Sequence, residues 1–437
     1  MLISFKVSNY KSLRDPQELS MLPSRSGSDF TSLPVAAVYG ANASGKSNLI
    51  EALSFANRIA GRWSESLHRP FRLDQTSIDR PTTYEIESEL DGVRYEYHLS
   101  VSPKGVEHEH LNAYPQGRKR VLLDRVGEKI TIGASMTNRS ALQSLSSETP
   151  SDTPTLGMAD TFKATEWQPF WQWLQTGLRS TNPRIDPSFL KFHNELPDAV
   201  ERHPVLVKLA KVADLGIIDM RVVEAHVVYL DGLPESGERA AAAQATEDML
   251  VYRLLQPSAT SLATGVDTSR ATREVFPGYR RVEFIHRSGG APLSEGDESR
   301  GTIAFLLYMA RILDALRDGA ALVIDEFDTS LHPRIIPRII ELFQDPRTNP
   351  KNAQLIFSTH DATLLGTSFG EPILKRDEVW FVEKHGDGAS ELYPLTSFKP
   401  RKEHNLERHY LGGSYGGVPD IHPESLVDIV AAANKTE

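Results

Sequence analysis

The 437-residue chain contains no cysteine. That excludes disulfides, thiolate zinc sites and a cysteine nucleophile, and it fits a reducing compartment. It also lacks any apolar run approaching the ~18 residues that a membrane-spanning helix needs. Its first residues, Met1-Leu2-Ile3-Ser4-Phe5-Lys6-Val7, alternate apolar and polar as a strand does, unlike a signal peptide. The cytoplasm is therefore the expected location, with no membrane partner. Positive charge is in deficit: 48 Lys and Arg stand against 58 Asp and Glu, a net charge of −10. Such a chain is not built around a generally basic nucleic-acid surface, although a local basic groove leaves nucleic acid open as a partner. No heptad pattern is sustained, which argues against a long coiled-coil arm. What is present is ordinary for a folded protein, 40% apolar and 24% charged residues, with length for two or three domains.

Residues 1–125 begin with the strand pattern at 2–7. A turn-rich stretch follows, holding Pro16, Pro23, Ser24, Ser26, Gly27 and Ser28. The apolar run 35–39 reads as a buried strand, and 48–56, apolar at 49, 50, 53 and 56, as a helix. Residues 83–87 and 93–99 alternate as strands joined by the hairpin signal Asp91-Gly92. Residues 126–285 change character, with an aromatic cluster at 167–174, a helical pattern at 205–215 and Ser/Thr/Pro/Gly loops, and read as an inserted, mainly helical domain. Residues 286–400 are the most regular. Helices are expected at 302–316 and 335–343, and strands at 320–324, 354–359 and 378–382. Strands alternating with helices imply a parallel sheet. Residues 401–437 form a C-terminal tail, glycine-rich over 410–419, that reads either as a turn ending the fold or as a partner-binding segment.

The strongest chemical signal is Gly40-Ala41-Asn42-Ala43-Ser44-Gly45-Lys46-Ser47, a full match to G-x-x-x-x-G-K-[ST] between an apolar strand and a helix that starts near Asn48. Glycines let the backbone wrap phosphates, and N–H groups at the helix start face the anion. Lys46 is expected to reach the β- and γ-phosphates and Ser47 to ligate Mg²⁺. The second signal is Leu322-Val323-Ile324-Asp325-Glu326, a buried strand delivering two carboxylates to its C-terminal end. Alone, such a strand is commonly just entering a turn. With the phosphate-binding loop upstream, Asp325 is expected in the Mg²⁺ shell and Glu326 as the general base acting on water. The third is Ile356-Phe357-Ser358-Thr359-His360-Asp361, in which His360 is placed to meet the γ-phosphate or the attacking water.

In this order the motifs resemble the ABC-type ATPase heads of the SMC and RecF class. Residues 3–13 are similar to that class's first strand and turn, and Phe327-Asp328-Thr329-Ser330-Leu331-His332-Pro333 to the D-loop after its Walker B strand. The resemblance covers about 1–125 and 285–400. It implies an α/β fold, a P-loop head with a mixed β-sheet, in which the signature turn of one subunit caps the ATP of another. Two signature turns compete: Leu293-Ser294-Glu295-Gly296-Asp297, closer in letters, and Glu298-Ser299-Arg300-Gly301-Thr302, which directly precedes a helix. Helix position and spacing to Asp325 favour Ser299 and Gly301. Gln75 is a weak candidate for the Q-loop glutamine, and Lys11 reads more simply as a surface lysine. A narrower resemblance, carried by 298–302, by Asp325-Glu326-Phe327 and by the tail Tyr410-Leu411-Gly412-Gly413-Ser414-Tyr415-Gly416-Gly417-Val418-Pro419, is to AAA-type ATP-binding proteins of bacterial abortive-infection operons, related to the PARIS and OLD ATPases, without a fused Toprim nuclease.

The expectation is thus an ATPase using ATP and Mg²⁺ that assembles at least as a homodimer through nucleotide sandwiched between heads. The resemblance implies a separately encoded effector, a nuclease or toxin, that it regulates in anti-phage defence. The rival readings are a RecF-like DNA-binding repair ATPase and a nucleotide-gated scaffold with little turnover. Arg118-Lys119-Arg120 and Arg280-Arg281 are short basic runs, and His404, Glu407 and His409 read as a solvated cluster before a metal site.

Overall fold

The computed structural model describes residues 1–24, 32–59, 67–146, 148–181, 189–224, 227–229, 272–274, 280–329, 331–367, 370, 372–401, 404–419 and 423–433. The turn residues Ser26, Gly27 and Ser28, Ser330 of the loop after the Asp-Glu strand, and all of 230–271 within the expected insertion lie outside them. The chain divides into two units, one of Met1–Asn182, Asp314–Thr329 and Pro333–Glu437, the other of Pro183–Leu313 and Ser330–His332. No helix among the described residues is long and apolar enough to cross a membrane.

The first unit begins with β1 (Leu2–Ser8), β2 (Gln17–Ser20), β3 (Val35–Tyr39), β4 (Thr82–Leu90), β5 (Val93–Ser102), β6 (Gly105–Tyr114), β7 (Arg120–Val126), β8 (Lys129–Ile132) and β9 (Leu178–Thr181). The second unit holds β10 (Ile217–Glu224), β11 (Val227–Tyr229), β12 (Thr272–Glu274), β13 (Arg280–His286) and β14 (Leu293–Ser294). The first unit resumes with β15 (Ala321–Ile324), β16 (Gln354–Ser358), β17 (Val379–Lys384) and β18 (Ser390–Pro394).

A seven-stranded antiparallel sheet runs β2-β1-β4-β5-β6-β7-β8. The expected hairpin is there: Leu90 pairs with Val93, and Asp91 and Gly92 take φ of 49° and 75°, the positive values that a tight two-residue turn needs. Alternation sends Tyr84, Ile86, Tyr97 and Leu99 into the core and leaves Glu85, Glu87 and His98 on the other face. A second, six-stranded sheet runs β18-β17-β3-β16-β15-β9. Five of its strands are parallel and β18 is antiparallel, so it is mixed, as expected. β3, β15 and β16 are buried at every position, which is why they read as unbroken apolar runs. Strand β9 comes from the stretch read as insertion, and four residues give too short a pattern to announce it.

The helix Lys46–Ile59 packs on β9, β15 and β16, and its Phe55 ring meets Tyr10, 6.2 Å between centroids. The aromatic cluster of 167–174 joins this same core: Phe170 stacks on Tyr95 at 5.8 Å and lies 5.6 Å from Tyr97. Two buried polar groups bind the layers. Gln354, the first residue of β16, accepts from the Leu2 N–H at 2.6 Å and donates to the Leu2 carbonyl at 2.8 Å, tying β1 to the parallel sheet. Glu109 on β6 accepts from the Thr155 N–H at 2.6 Å, the Leu156 N–H at 2.9 Å and the Tyr97 hydroxyl at 2.9 Å. Beside it Arg125 donates to the carbonyls of Gly127, Pro150, Ser151 and Thr153.

In the second unit β10 pairs with β13 and β13 with β14, all antiparallel. The helix Phe189–Arg202 packs on β13, the helix Leu206–Val212 on β10. Glu201 and Asp198 pair with Arg280, and Glu195 with Arg311 at 2.8 Å.

Removing the carboxylate at Glu109 strands the buried Arg125 guanidinium and three donors. Glu109→Ala is expected to lower the unfolding free energy by about 3–5 kcal/mol, read from urea denaturation. A loss within ~0.5 kcal/mol, the range of a surface substitution, would show that the group is dispensable.

Candidate functional site

β3 ends at Tyr39 and the chain turns through 40–45 into the helix Lys46–Ile59. A side chain at Gly40 would overlap the Val382 carbonyl and Ser44 Oγ, and one at Gly45 (φ 116°) would overlap the hydroxyls of Ser390 and Ser12. Glycine is therefore required at both ends by close packing, and at Gly45 by its backbone as well. Asn42 and Ala43 form the exposed tip, with Ala43 at φ 63°. Lys46 is buried, and its Nζ donates to the Gly40 carbonyl at 2.8 Å and the Ala41 carbonyl at 2.9 Å. Ser44 Oγ is buried without a hydrogen-bond partner. Ser47 is half-buried at the helix start. Asn48 points elsewhere, its amide donating to Ser12 Oγ at 2.7 Å.

Parallel register brings the other motifs to the same edge. Phe357 pairs with Ala37 on one side and Ile324 on the other. Asp325 is thus level with Ser358, and the Ser358 hydroxyl donates to Asp325 Oδ1 at 2.5 Å. The same hydroxyl oxygen accepts from the Glu326 N–H at 2.8 Å, holding Glu326 at φ 51°. Left-handed backbone at a non-glycine residue costs roughly 1–2 kcal/mol. Asp325 Oδ2 and Asp328 Oδ1 are buried without a protein partner. Asp328 Oδ2 accepts from the His360 N–H at 3.1 Å. The His360 imidazole is held below the usual histidine range, first by partial removal from water and then by the Lys46 ammonium, against the pull of Asp328, Glu326 and Asp325. Lys46, Asp325, Glu326 and His360 therefore share one electrostatic neighbourhood at the C-terminal ends of β3, β15 and β16, the edge where open α/β sheets bind ligands.

The loop is held by residues outside it, of which Ser12 falls in the turn noted at 3–13 and Ser390 was not read from the sequence. The Ser390 hydroxyl on β18 donates to the Ser44 carbonyl at 2.6 Å and lies within hydrogen-bond distance of the Ser12 hydroxyl, 2.8 Å away, and its N–H donates to the Ser12 carbonyl at 2.7 Å. Asn9, at φ 50°, donates from Nδ2 to the carbonyls of Ser77 (2.8 Å) and Arg80 (2.7 Å) and accepts from the Phe71 N–H at 3.0 Å. Ser390 carries no signal of its own in a sequence, because a serine takes its role from whichever strand lies beside it. Lys11 is engaged by Glu51, which also accepts from Arg69 Nη1 at 3.0 Å and the Tyr10 hydroxyl at 3.0 Å. Gln75 is exposed in a short helix, Gln75–Ile78.

Ser299 and Gly301 lie in the second unit, at the start of the helix Arg300–Asp318. Ser299 Oγ accepts from the Thr302 N–H at 3.0 Å, a helix N-cap. Ser294 instead bonds Asp297 Oδ2 at 2.6 Å, within a separate turn at Glu295–Asp297. His404 and His409 stack at 4.8 Å, and no group of three metal-ligating side chains occurs among the described residues.

Residues 35–144 and 168–366 match the family described as "AAA domain, putative AbiEii toxin, Type IV TA system". Among solved structures the chain is similar to the SMC head domain from Thermotoga maritima, with 13% identity, a TM-score of 0.36, and coverage of 90% of this chain and 98% of that one. No curated protein matches the sequence.

With its protonated form disfavoured, His360 is expected to be neutral at pH 7 and to titrate below the ordinary ~6.5. In Lys46→Ala, which removes the neighbouring cation, the midpoint should move up. Side-chain NMR of His360 across pH 4–8 reads both, and a midpoint above 6.5 in the unaltered chain would contradict the described environment.

Proposed function

Given that the chain belongs to the AAA domain family described as "putative AbiEii toxin, Type IV TA system", we propose that it binds Mg-ATP at the loop 40–47 and hydrolyses it. The observation that carries this reading is a set of buried polar atoms at one sheet edge, Ser44 Oγ and Asp325 Oδ2, that no protein group satisfies, beside a lysine that spends its donors on the loop's own carbonyls. Buried polar atoms are almost always paired, so such a set fits a ligand that supplies the partners.

In this reading the N–H groups of the loop and of the helix start, with Gly40, Asn42, Ala43, Ser44, Gly45 and Asn48 shaping the cradle, hold the triphosphate. Lys46 leaves the carbonyls of Gly40 and Ala41 for the β- and γ-phosphates. Ser47 and Asp325 fit Mg²⁺: one hydroxyl at the loop's end and one buried carboxylate oxygen with nothing else to bind. Bound there, magnesium neutralises charge on the phosphate oxygens. Glu326 takes a proton from water as that water's oxygen bonds to the γ-phosphorus. The bond from that phosphorus to the bridging oxygen breaks, and ADP leaves with the electron pair. His360, neutral, can donate one hydrogen bond toward the γ-phosphate or the water.

Ser299 and Gly301, at the start of a 19-residue helix, are suited to cap a nucleotide held by a second copy, since a helix N-terminus favours anionic oxygens. ATP then acts as the bond between heads of a homodimer. We propose further that the chain regulates a separate effector, a toxin or nuclease, in defence against phage, with hydrolysis releasing it; the toxin and type IV TA system of the family description favour the toxin–antitoxin part of this reading.

Glu326→Gln is expected to reduce phosphate release by about 10²–10⁴-fold, the usual contribution of a positioned general base, while ATP binding persists and ATP-dependent dimers accumulate in sedimentation velocity. Lys46→Ala should lose both. Turnover unchanged in Glu326→Gln removes the catalytic assignment.

A further inference from the structure

Three acids, Glu295, Asp297 and Glu298, stand immediately before the helix Arg300–Asp318, and none of them caps it. The orphan N–H groups and the dipole of a 19-residue helix draw nearby carboxylates to its N-terminus. Here each carboxylate is bonded elsewhere. Glu295 Oε1 accepts from the Val282 N–H at 2.7 Å, just where β14 stops pairing with β13. Asp297 Oδ2 accepts from the Ser294 N–H at 3.1 Å and bonds the Ser294 hydroxyl at 2.6 Å. Glu298 Oε1 is hydrogen-bonded to Nε2 of His286, the last residue of β13. The cap is left to a neutral group, Ser299 Oγ, which accepts from the Thr302 N–H at 3.0 Å.

Exposure sorts these residues the same way. Ser299, Arg300 and Gly301 are exposed, whereas the Glu298 side chain is only 6% exposed. β13 is fixed at that end, since His286 pairs with Ile217 on β10 and the Arg287 N–H donates to the Gly216 carbonyl at 2.9 Å. Glu298 is the acid nearest the cap. Released from His286, its carboxylate would compete with an incoming anion for the helix N-terminus. We infer that His286 is a positioning residue of the capping turn: by holding the Glu298 carboxylate inward against β13, it keeps Ser299–Gly301 open to the phosphates of a nucleotide held by a second copy. The inference rests on the ATP-sandwich reading above. In this arrangement His286 touches neither nucleotide nor water. It acts through Glu298, and its effect falls on the joining of two heads and spares the binding of ATP to one.

Sedimentation velocity of the Glu326→Gln chain in Mg-ATP provides the parent measurement. Adding His286→Ala frees the carboxylate, and the dimer dissociation constant should rise at least about 10-fold, since each dimer carries the change at both nucleotides. The Kd of the monomer for a fluorescent ATP analogue should stay within about twofold. Adding Glu298→Gln instead removes the charge, and dimers should form as tightly as in the parent or more so. His286→Ala and Glu298→Gln together should recover to within about threefold of the parent. A turn merely propped up by the pair would gain nothing from the second substitution. Unaltered dimerisation in His286→Ala overturns the inference, as does a double variant no better than His286→Ala alone. A Glu326→Gln parent that binds ATP and forms no dimers overturns the sandwich and the inference with it, which separates the two failures.

Discussion

A loop proposed to receive an anion through its backbone has few contacts of its own with which to hold its shape. Its glycines provide no packing, and its Ser44 N–H bonds only back to the Ala41 carbonyl, at 3.2 Å. In this chain the support comes from outside. Ser390 and Ser12 grip the Ser44–Gly45 end, and a side chain on Gly45 would displace both. Lys46 folds back on the carbonyls of Gly40 and Ala41. At the other end Gly40 is enclosed by the Val382 carbonyl and Ser44, with Gly417 of the tail beside it. Three distant stretches of sequence, near residues 12, 390 and 417, therefore converge on eight residues whose own composition is nearly featureless.

The same requirement explains why the carboxylates and the histidine sit where they do. Three adjacent parallel strands end together, so the first residue past each strand faces the same space. Ser358 converts this alignment into fixed positions: one hydroxyl donates to Asp325 Oδ1 and accepts from the Glu326 N–H. The left-handed backbone at Glu326 turns the chain sharply just after Asp325, so that two neighbouring acids need not lie on opposite faces as they would in a continuing strand. Strain of this kind, held by a specific hydrogen bond, is characteristic of sites where side-chain direction matters.

Much of this was legible. β3, β15 and β16 announced themselves as apolar runs because both faces are covered, and the phosphate-binding loop carries a pattern whose every letter has a steric or chemical reason. The hairpin at Asp91-Gly92 was equally plain, since few residue pairs tolerate its backbone. Other parts were hidden for physical reasons. The four residues of β9 pair with β15 by register alone, and no local pattern can show which strand a short segment will meet. The aromatic residues at 167–174 looked like the heart of a separate insertion, whereas Trp167 and Phe170 complete the core behind β5. A cluster of large side chains states that a core exists, not whose core it is. Between Ser294 and Ser299, helix position and the spacing to Asp325 favoured the second, and in the structure each serine caps a turn of its own, Ser294 with Asp297 and Ser299 with Thr302.

The tail shows how a bland sequence acquires a role. Positive φ at Gly413, Gly416 and Gly417 would serve any chain ending in a turn. What distinguishes this segment is the aromatic stack of Tyr39, Tyr410, Phe381 and Tyr415, in which two rings come from strands flanking the loop and two from the tail. Stacking of this kind is worth about 0.5–1.5 kcal/mol per pair beyond burial, enough to seat the tail yet small against what a triphosphate can contribute by binding.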